Sequence, residues 1–215
     1  NGDLTFKESA ASYGIDDASY STHSAFFDYD KDGDLDLFVM NHSLDKYAMT
    51  NPDRKKERNP IYEHRLYKNT GKKFVDVNAE TGMISNIINF GLGLAIADFN
   101  NDRWPDIYVC NDYSEQDYLY INNRDGTFSE ELEKYFDHIS FSSMGNDAAD
   151  FNNDGFIDLF TLDMEPEDNY GNKLVSGPDN FDKFMNLKNS GFYNQSVRNM
   201  LQLNMHGEYF TEIGQ

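Results

Sequence analysis

Cysteine, proline and basic residues are scarce in this chain of 215 residues. It has five prolines and one cysteine, Cys110, so it cannot form an intrachain disulfide. Lysine and arginine number 18 against 38 acidic residues, which gives a formal net charge of −20. Because nucleic acids and anionic membrane surfaces repel such a chain, we expect no nucleic-acid partner. No apolar run approaches the length of a membrane span, so we expect no transmembrane segment in this chain.

Aromatic residues are plentiful, with 17 phenylalanines and 14 tyrosines. Together with an apolar fraction of 39%, they can form a sizeable core, which argues against disorder despite the high charge. The five histidines are scattered and lack the spacing of a metal site. The sequence contains no recognisable catalytic centre and no motif for an organic cofactor, so we predict neither catalytic nor cofactor-binding residues.

One motif occurs three times, in "FFDYDKDGDLDLFVMN" (26–41), "IADFNNDRWPDIYVCN" (96–111) and "AADFNNDGFIDLFTLD" (148–163). In each copy, Asp or Asn alternates with other residues, and an apolar run follows. A second element recurs between the copies, in "LYKNTGKKFVDV", "LYINNRDGTFSE" and "LQLNMHGEYFTE". It predicts a hairpin with an Asn/Gly turn, because two short strand-like runs flank the turn residues.

These repeats predict an all-β fold of β-propeller blades, since units of about 50 to 70 residues contain several short strands and no long amphipathic helix. We expect a single partial domain over residues 1–215 with repeat units at 1–41, 66–111, 119–163 and 198–215. Insertions occupy 42–65 and 164–197. The two ends duplicate each other, so we interpret the chain as about half of a larger propeller of seven blades. A closed four-bladed ring is the alternative.

The spacing of the acidic residues predicts three calcium sites. Oxygens at positions 1, 3, 5 and 9 of a tight loop, with a backbone carbonyl at position 7, can surround a hard cation that takes six to eight oxygen ligands. Magnesium suits this arrangement less well, because it demands a compact octahedron. The predicted ligands are Asp28, Asp30, Asp32, the carbonyl of Asp34, and Asp36; Asp98, Asn100, Asp102, the carbonyl of Trp104, and Asp106; and Asp150, Asn152, Asp154, the carbonyl of Phe156, and Asp158. About three calcium ions would reduce the net charge from −20 to about −14.

Two other interpretations of the motif fit the sequence less well. An EF-hand needs a Glu at position 12 and flanking helices, but that position holds Val39, Val109 and Thr161 within strand-like runs. Ordinary surface turns also favour Asp, Asn and Gly. However, the same spacing of these residues before a strand-like run occurs in all three copies, which argues against ordinary turns. The second loop has Arg103 where the others have Gly33 and Gly155, which predicts strain if this position requires positive φ.

The stretches "DYDKDGDLDL", "ADFNNDGFIDL" and "LYKNTGKKFVDV" resemble the FG-GAP/VCBS repeats of integrin-α-like β-propellers. The stretch "SSMGNDAADFNNDGFIDLFTLDMEPEDNYGNK" more narrowly resembles large bacterial proteins of the ASPIC/UnbV, cartilage-acidic-protein-like group. The resemblance implies that each loop connects neighbouring strands of a blade, that calcium is structural, and that the protein is secreted, periplasmic or attached to the cell surface.

The first functional hypothesis is a calcium-binding, non-catalytic binding or scaffold module that recognises a protein or a polysaccharide. Segments 41–45, 111–117 and 162–168, with Tyr113, Tyr118 and Tyr170 nearby, are candidates for the recognition face. The basic run 54–58 is a candidate docking patch for an acidic partner or glycan. The alternative is a carbohydrate-active enzyme, a lyase or hydrolase, using paired carboxylates. Its candidate carboxylates are Asp112, Glu115, Asp117, Glu165 and Asp168.

Overall fold

Short strands dominate the computed structural model, which describes residues 2–45, 51–164, 168, 170–171 and 181–214. The strands are β1 (Ser21–Phe27), β2 (Asp36–Asn41), β3 (Arg65–Asn69), β4 (Phe74–Asp76), β5 (Gly91–Ala97), β6 (Asp106–Asn111), β7 (Tyr118–Asn122), β8 (Phe128–Glu130), β9 (Ile139–Ser140), β10 (Gly145–Ala149), β11 (Asp158–Leu162), β12 (Gln195–Ser196), β13 (Met200–Asn204) and β14 (Phe210–Glu212). The helices are α1 (Ala10–Tyr13), α2 (Asn78–Thr81), α3 (Leu132–Tyr135), α4 (Phe181–Asn189) and a 3-10 helix (Pro52–Lys56). The prediction of an all-β chain is confirmed.

The strands form three antiparallel sheets of four strands each. Their orders are β1-β2-β3-β4, β5-β6-β7-β8 and β10-β11-β13-β14, and we call them sheets 1, 2 and 3. The register at the first hairpin is the same in all three, with Phe27 opposite Asp36, Ala97 opposite Asp106 and Ala149 opposite Asp158. Each acidic loop therefore connects the first and second strands of its sheet, as the resemblance implies.

Sheet 2 lies between the other two sheets, and its side chains alternate between two cores. Ile107 and Val109 of β6 pack with residues of sheet 1 such as Phe38, whereas Tyr108 of the same strand packs with Leu159 of sheet 3. Strand β7 divides its side chains in the same way. Both faces of sheet 2 are covered, which explains why every residue of β6 and β7 is buried.

The first strands of the three sheets lie side by side, with β5 in contact with both β1 and β10. Gly93 of β5 makes this approach possible. A Cβ atom at Gly93 would lie 2.8 Å from the Cα of Gly145 and 3.1 Å from the backbone nitrogen of Asn146. Backbone atoms cannot withdraw as a flexible side chain can, so this position requires glycine.

The structure differs from the sequence prediction at the ends of the second hairpins. The alternating run 74–77 predicts a strand through residue 77, but β4 ends at Asp76 and α2 begins at Asn78. Helix α3 follows β8 at the corresponding place. Gly82 ends α2 with φ 73°, a left-handed conformation that glycine adopts without steric cost.

The two insertions contain helical turns and pack together. Phe192, which follows α4, forms a cluster with Ile87 and Ile88, against which Tyr62 and Leu187 also pack. Strand β12 pairs in parallel with β9, which joins the end of the second insertion to the segment before β10. Within the described residues, none of the helices has the length and apolar character needed to cross a lipid bilayer.

Candidate metal centre

The three acidic loops share one hydrogen-bonding pattern around the aspartate at position 1. Asp28 Oδ1 accepts from the backbone N–H of Asp32 at 3.1 Å, and its Oδ2 accepts from that of Gly33 at 3.1 Å. Asp98 and Asp150 accept from the corresponding N–H groups at 2.6–3.0 Å. Position 5 repeats as well, since Asp32, Asp102 and Asp154 each accept the N–H two residues later. The shared spacing thus produces one shared loop conformation.

The aspartate at position 9 is fully buried at the start of the second strand in each sheet. Asp106 Oδ2 accepts from Phe99 N–H at 2.9 Å, and its Oδ1 accepts from Asn122 N–H at 2.9 Å. Asp36 and Asp158 repeat these contacts. Burial raises the pKa of Asp106 to about 7 and that of Asp36 to about 6, while the backbone hydrogen bonds oppose the shift. A cation nearby would favour the ionised forms.

Positions 4 and 6 of every loop have positive φ. Position 4 holds Lys31, Asn101 and Asn153, with φ of 58°, 59° and 60°. Position 6 holds Gly33 at 95°, Gly155 at 90° and Arg103 at 72°. The predicted strain at Arg103 is therefore present, at a cost of about 1 kcal/mol. The loop keeps its shape nonetheless, because the Arg103 N–H still donates to Asp98.

The first loop brings three of its predicted carboxylate ligands together. One carboxylate oxygen each of Asp28, Asp30 and Asp36 lies within 4.8 Å of the other two. In the other loops position 3 is Asn100 or Asn152, which supplies an amide oxygen instead of a carboxylate. Hard oxygen donors at this separation suit calcium, which tolerates irregular geometry. The roles of the carbonyl groups at position 7, from Asp34, Trp104 and Phe156, stay predictions.

Basic side chains already contact two of the loops. The Lys68 ammonium group lies against Asp30 Oδ2 and 3.3 Å from Asp32 Oδ2. Arg124 donates to Asp102 Oδ2 from Nη2 at 2.8 Å and from Nε at 3.0 Å. In the third sheet, His206 occupies the position of Arg124 and contacts the Phe156 ring edge-on, with centroids 5.0 Å apart. Part of the crowded negative charge is thus offset by the protein itself.

Sequence reasoning missed the asparagine that ends the third strand of each sheet. The Asn204 amide donates to Ile157 O of its own sheet at 3.0 Å and to Phe99 O of sheet 2 at 2.8 Å. Asn122 links its own loop to Tyr29 O of sheet 1 in the same way. Asn122 and Asn204 thus join the second loop to the first and the third loop to the second, whereas Asn69 donates to Leu35 O of its own loop at 3.1 Å. The repeated Asn in "YKN", "YIN" and "QLN" is the sequence signal that could have revealed them.

The proposed catalytic carboxylates have different environments. Asp117 is fully enclosed and accepts from the Tyr108 hydroxyl at 2.6 Å, the Asn111 N–H at 2.8 Å and the Ser143 hydroxyl at 2.8 Å. Burial raises the pKa of Asp117 to about 7. Both of its oxygens are used to hold strands together, which favours a structural role. Asp112 accepts from Tyr113 N–H, Asp168 caps a turn at residues 170–171, and Glu165 lies outside the described residues.

Glu115 lines a cleft of about 930 Å³ between the two insertions and sheet 2. Its Oε1 accepts from Asn86 Nδ2 at 2.8 Å and from the Tyr118 hydroxyl at 2.6 Å, whereas its buried Oε2 has no hydrogen-bond partner among the described residues. Burial raises the pKa of Glu115 and also that of Glu130, which lines the same cleft. The other lining residues are Asp53, Lys55, Lys56, Arg58, Ile84, Asn86, Gln116, Tyr118, Glu133, Asn189, Ser190 and Gly191.

The basic run is largely neutralised by its surroundings. Arg54 pairs with Asp45 at 2.6 Å and Glu57 at 3.0 Å, and Arg58 pairs with Glu63 at 2.6 Å. Lys55 donates to Gln116 Oε1 at 2.9 Å and to Gly191 O at 3.3 Å. Lys56 is exposed at the edge of the cleft. Of the three tyrosines predicted to meet a partner, Tyr118 is buried, whereas Tyr113 and Tyr170 are 45% and 74% exposed.

Comparison with known proteins supports the repeat assignment. The chain has no match among curated proteins. The family described as "FG-GAP-like repeat" matches residues 98–161, from the second acidic loop through the third and into β11. This part of the chain is thus similar to FG-GAP-like repeats, while the narrower resemblance to the ASPIC/UnbV group stays a prediction.

Proposed function

We propose that this chain is a calcium-stabilised, non-catalytic binding or scaffold module of an exported protein. The observation that carries the proposal is the recurrence of one loop in three sheets, with the same backbone hydrogen bonds and acidic residues at the same positions. In the first loop, carboxylate oxygens from three residues also lie within 4.8 Å of one another. Asp, Asn and backbone oxygens at such spacing form the ligand set that calcium prefers.

We further propose that sheets 1, 2 and 3 are blades of a β-propeller, one about twice this size with seven blades. Supporting this, the first strands lie side by side, and sheet 2 packs a sheet on each face. Four antiparallel strands per unit are typical of a propeller blade. In this arrangement each calcium loop would hold the end of a blade against its neighbour.

Calcium would supply the cross-links that a chain with one cysteine lacks. The carboxyl groups at position 9 are buried at the start of a core strand, and burial raises the pKa values of Asp36 and Asp106. An ion bound by the folded loop and not by the unfolded chain stabilises the folded state by mass action. A fold that depends on calcium needs surroundings that supply the ion, which fits the proposed secreted, periplasmic or surface location.

Calorimetric titration of the chelated protein with calcium tests the proposed sites. We expect about three ions to bind, in line with ligand sets of six to eight oxygens per loop. The variant Asp150→Ala should lose one of them. Asp125→Ala removes an exposed aspartate in a hairpin turn outside the loops and should bind as the native protein does. Absence of heat in every variant would refute the calcium proposal.

The cleft beside Glu115 is our proposed recognition surface for a protein or polysaccharide partner. It combines exposed charges of both signs, Lys56 and Glu133, with amide groups from Asn86 and Gln116. Its volume of about 930 Å³ is within the usual range for ligand sites. Binding to immobilised glycans and candidate proteins, compared between the native chain and Lys56→Ala, tests this assignment. Equal binding by both would place recognition elsewhere.

One observation favours the alternative, a carbohydrate lyase or hydrolase. Glu115 and Glu130 line one cleft, and burial raises the pKa of Glu115, as the general acid of such an enzyme requires. Glu130 would be the second carboxylate of the pair. An enzyme would release new sugar ends from a polysaccharide and would lose this activity in Glu115→Gln. Exposed Glu208, in the turn between β13 and β14 and outside the cleft, offers the control, Glu208→Gln, which should retain it.

A further inference from the structure

The three acidic loops differ in how much negative charge they concentrate. The first has five aspartates, at positions 1, 3, 5, 7 and 9. The second and third have three each, because Asn replaces Asp at position 3 and an aromatic residue occupies position 7. All three nevertheless form the same backbone hydrogen bonds. The first loop therefore has the greatest need of a positive counter-charge.

Lys68 meets this need from the neighbouring hairpin. Its ammonium group contacts Asp30 and lies 3.3 Å from Asp32 Oδ2, so it touches two predicted calcium ligands at once. The side chain of Lys68 is one-third exposed and that of Asp30 is 16% exposed, so solvent screens this pair only in part.

The other two sheets have apolar residues at the position of Lys68. The residue before the strand-ending asparagine is Lys68 in sheet 1, Ile121 in sheet 2 and Leu203 in sheet 3. Sheet 2 uses Arg124 from the hairpin turn instead, paired with Asp102 at 2.8 Å. Among the described residues, no ion pair reaches an aspartate of the third loop. The three loops thus differ in their basic partner: Lys68 for the first, Arg124 for the second, and none among the described residues for the third.

We propose that Lys68 is an internal counter-cation of the first loop, which orders this loop at low calcium and lowers the calcium affinity that the aspartates of the loop would otherwise give. The inference rests on the proposed function, since it presumes that the loops bind calcium. To share Asp30 and Asp32 with a divalent ion, the Lys68 ammonium group has to leave them, because like charges at such short range repel strongly. The third loop has no such competitor among the described residues.

The consequence is a division of roles between repeats of one sequence motif. Lys68 would hold the first loop folded at low calcium and give way to the ion as the calcium concentration rises, whereas the third loop has no basic partner among the described residues and would depend on the ion alone. Replacing Lys68 with the leucine that sheet 3 has at this position should free the first loop of this competing charge. We expect its apparent calcium affinity to rise by about fivefold or more, from the loss of one adjacent positive charge.

Nuclear magnetic resonance of the backbone amides of Gly33 and Gly155 tests the proposal loop by loop. Each amide donates to the position-1 aspartate of its own loop and so reports on that loop alone. In the native protein, the Gly33 and Gly155 resonances should both shift as calcium is added. In Lys68→Leu, the Gly33 midpoint should fall about fivefold or more, and the Gly155 midpoint should stay unchanged.

Lys73→Leu removes an exposed lysine from the same hairpin and controls for net charge, so neither midpoint should move. Lys68→Met keeps an unbranched side chain for packing and should repeat the result of Lys68→Leu if the latter folds poorly without calcium. An unchanged Gly33 midpoint in both Lys68 variants, with Gly155 still responding, overturns this inference and leaves the calcium proposal standing. No response of either glycine in any variant overturns both.

Discussion

At the residue scale, buried hydrogen bonds from asparagine fix the acidic loops in place. Asn204 is 1% exposed, and its amide joins a loop of sheet 2 to a loop of sheet 3. A buried carbonyl group that loses its hydrogen-bond donor is left without a partner and without water. The free energy that this costs is larger than the net contribution of an ordinary hydrogen bond to stability. These asparagines therefore contribute to stability even though they are not predicted metal ligands.

The substitution Asn204→Ala tests this role. It leaves Phe99 O and Ile157 O without their donor, so we expect the free energy of unfolding in urea to fall by about 1–3 kcal/mol. Asn123 is an exposed asparagine one residue beyond the equivalent position in sheet 2, and Asn123→Ala should change stability by less than about 0.5 kcal/mol. Equal losses in the two variants would contradict the role assigned to Asn204.

At the element scale, the sequence predicts the strands that carry dense local signals. The apolar runs after position 9 become β2, β6 and β11, and the Asn/Gly turns become the second hairpins. The pairing of β9 with β12 could not be predicted, because each strand has two residues and the partners are more than fifty residues apart. The cleft escaped prediction for a similar reason, since its walls come from segments brought together only by tertiary packing.

The close approach of β5 and β10 at Gly93 provides a test at this scale. In Gly93→Ala the new methyl group would lie 2.8 Å from the backbone of β10, which has to move away. We expect the free energy of unfolding to fall by about 1–3 kcal/mol, as overpacking of a core does. Gly145 lies across the same contact, and a Cβ there meets nothing within 4 Å. Gly145→Ala should therefore be tolerated, and a greater loss in Gly145→Ala than in Gly93→Ala would count against the packing described.

At the scale of the whole molecule, acidic groups are concentrated in a compact fold with a net charge of −20. Burial raises the pKa of several, to about 7 for Asp106 and Asp117 and about 6 for Asp36. A carboxyl group whose pKa is higher in the folded than in the unfolded state binds protons more tightly when folded. Its contribution to stability is complete below about pH 4 and is lost as the pH rises through the folded pKa.

The chelated protein should therefore become less stable between pH 5 and pH 7 and level off by pH 8. Asp117 faces the Tyr108 and Ser143 hydroxyls and the Asn111 N–H, and the carboxylate of Asp163 raises its pKa further. In Asp117→Asn the slope of unfolding free energy against pH should shrink by up to about 1.4 kcal/mol per pH unit. Urea denaturation at each pH measures the slope, and a rise in stability over this range would contradict the assigned shifts.

The central claim is that divalent ions hold the acidic loops of the folded chain, and calorimetric melting with and without calcium tests it most directly. After thorough chelation, we predict that the melting temperature falls by about 10 °C or more, from the loss of several bound ions at about 2.7 kcal/mol each when calcium is at a hundred times its dissociation constant. Calcium should restore the original value, and Asp150→Ala should be restored only in part. A melting curve that is the same in calcium and in chelator would contradict the claim.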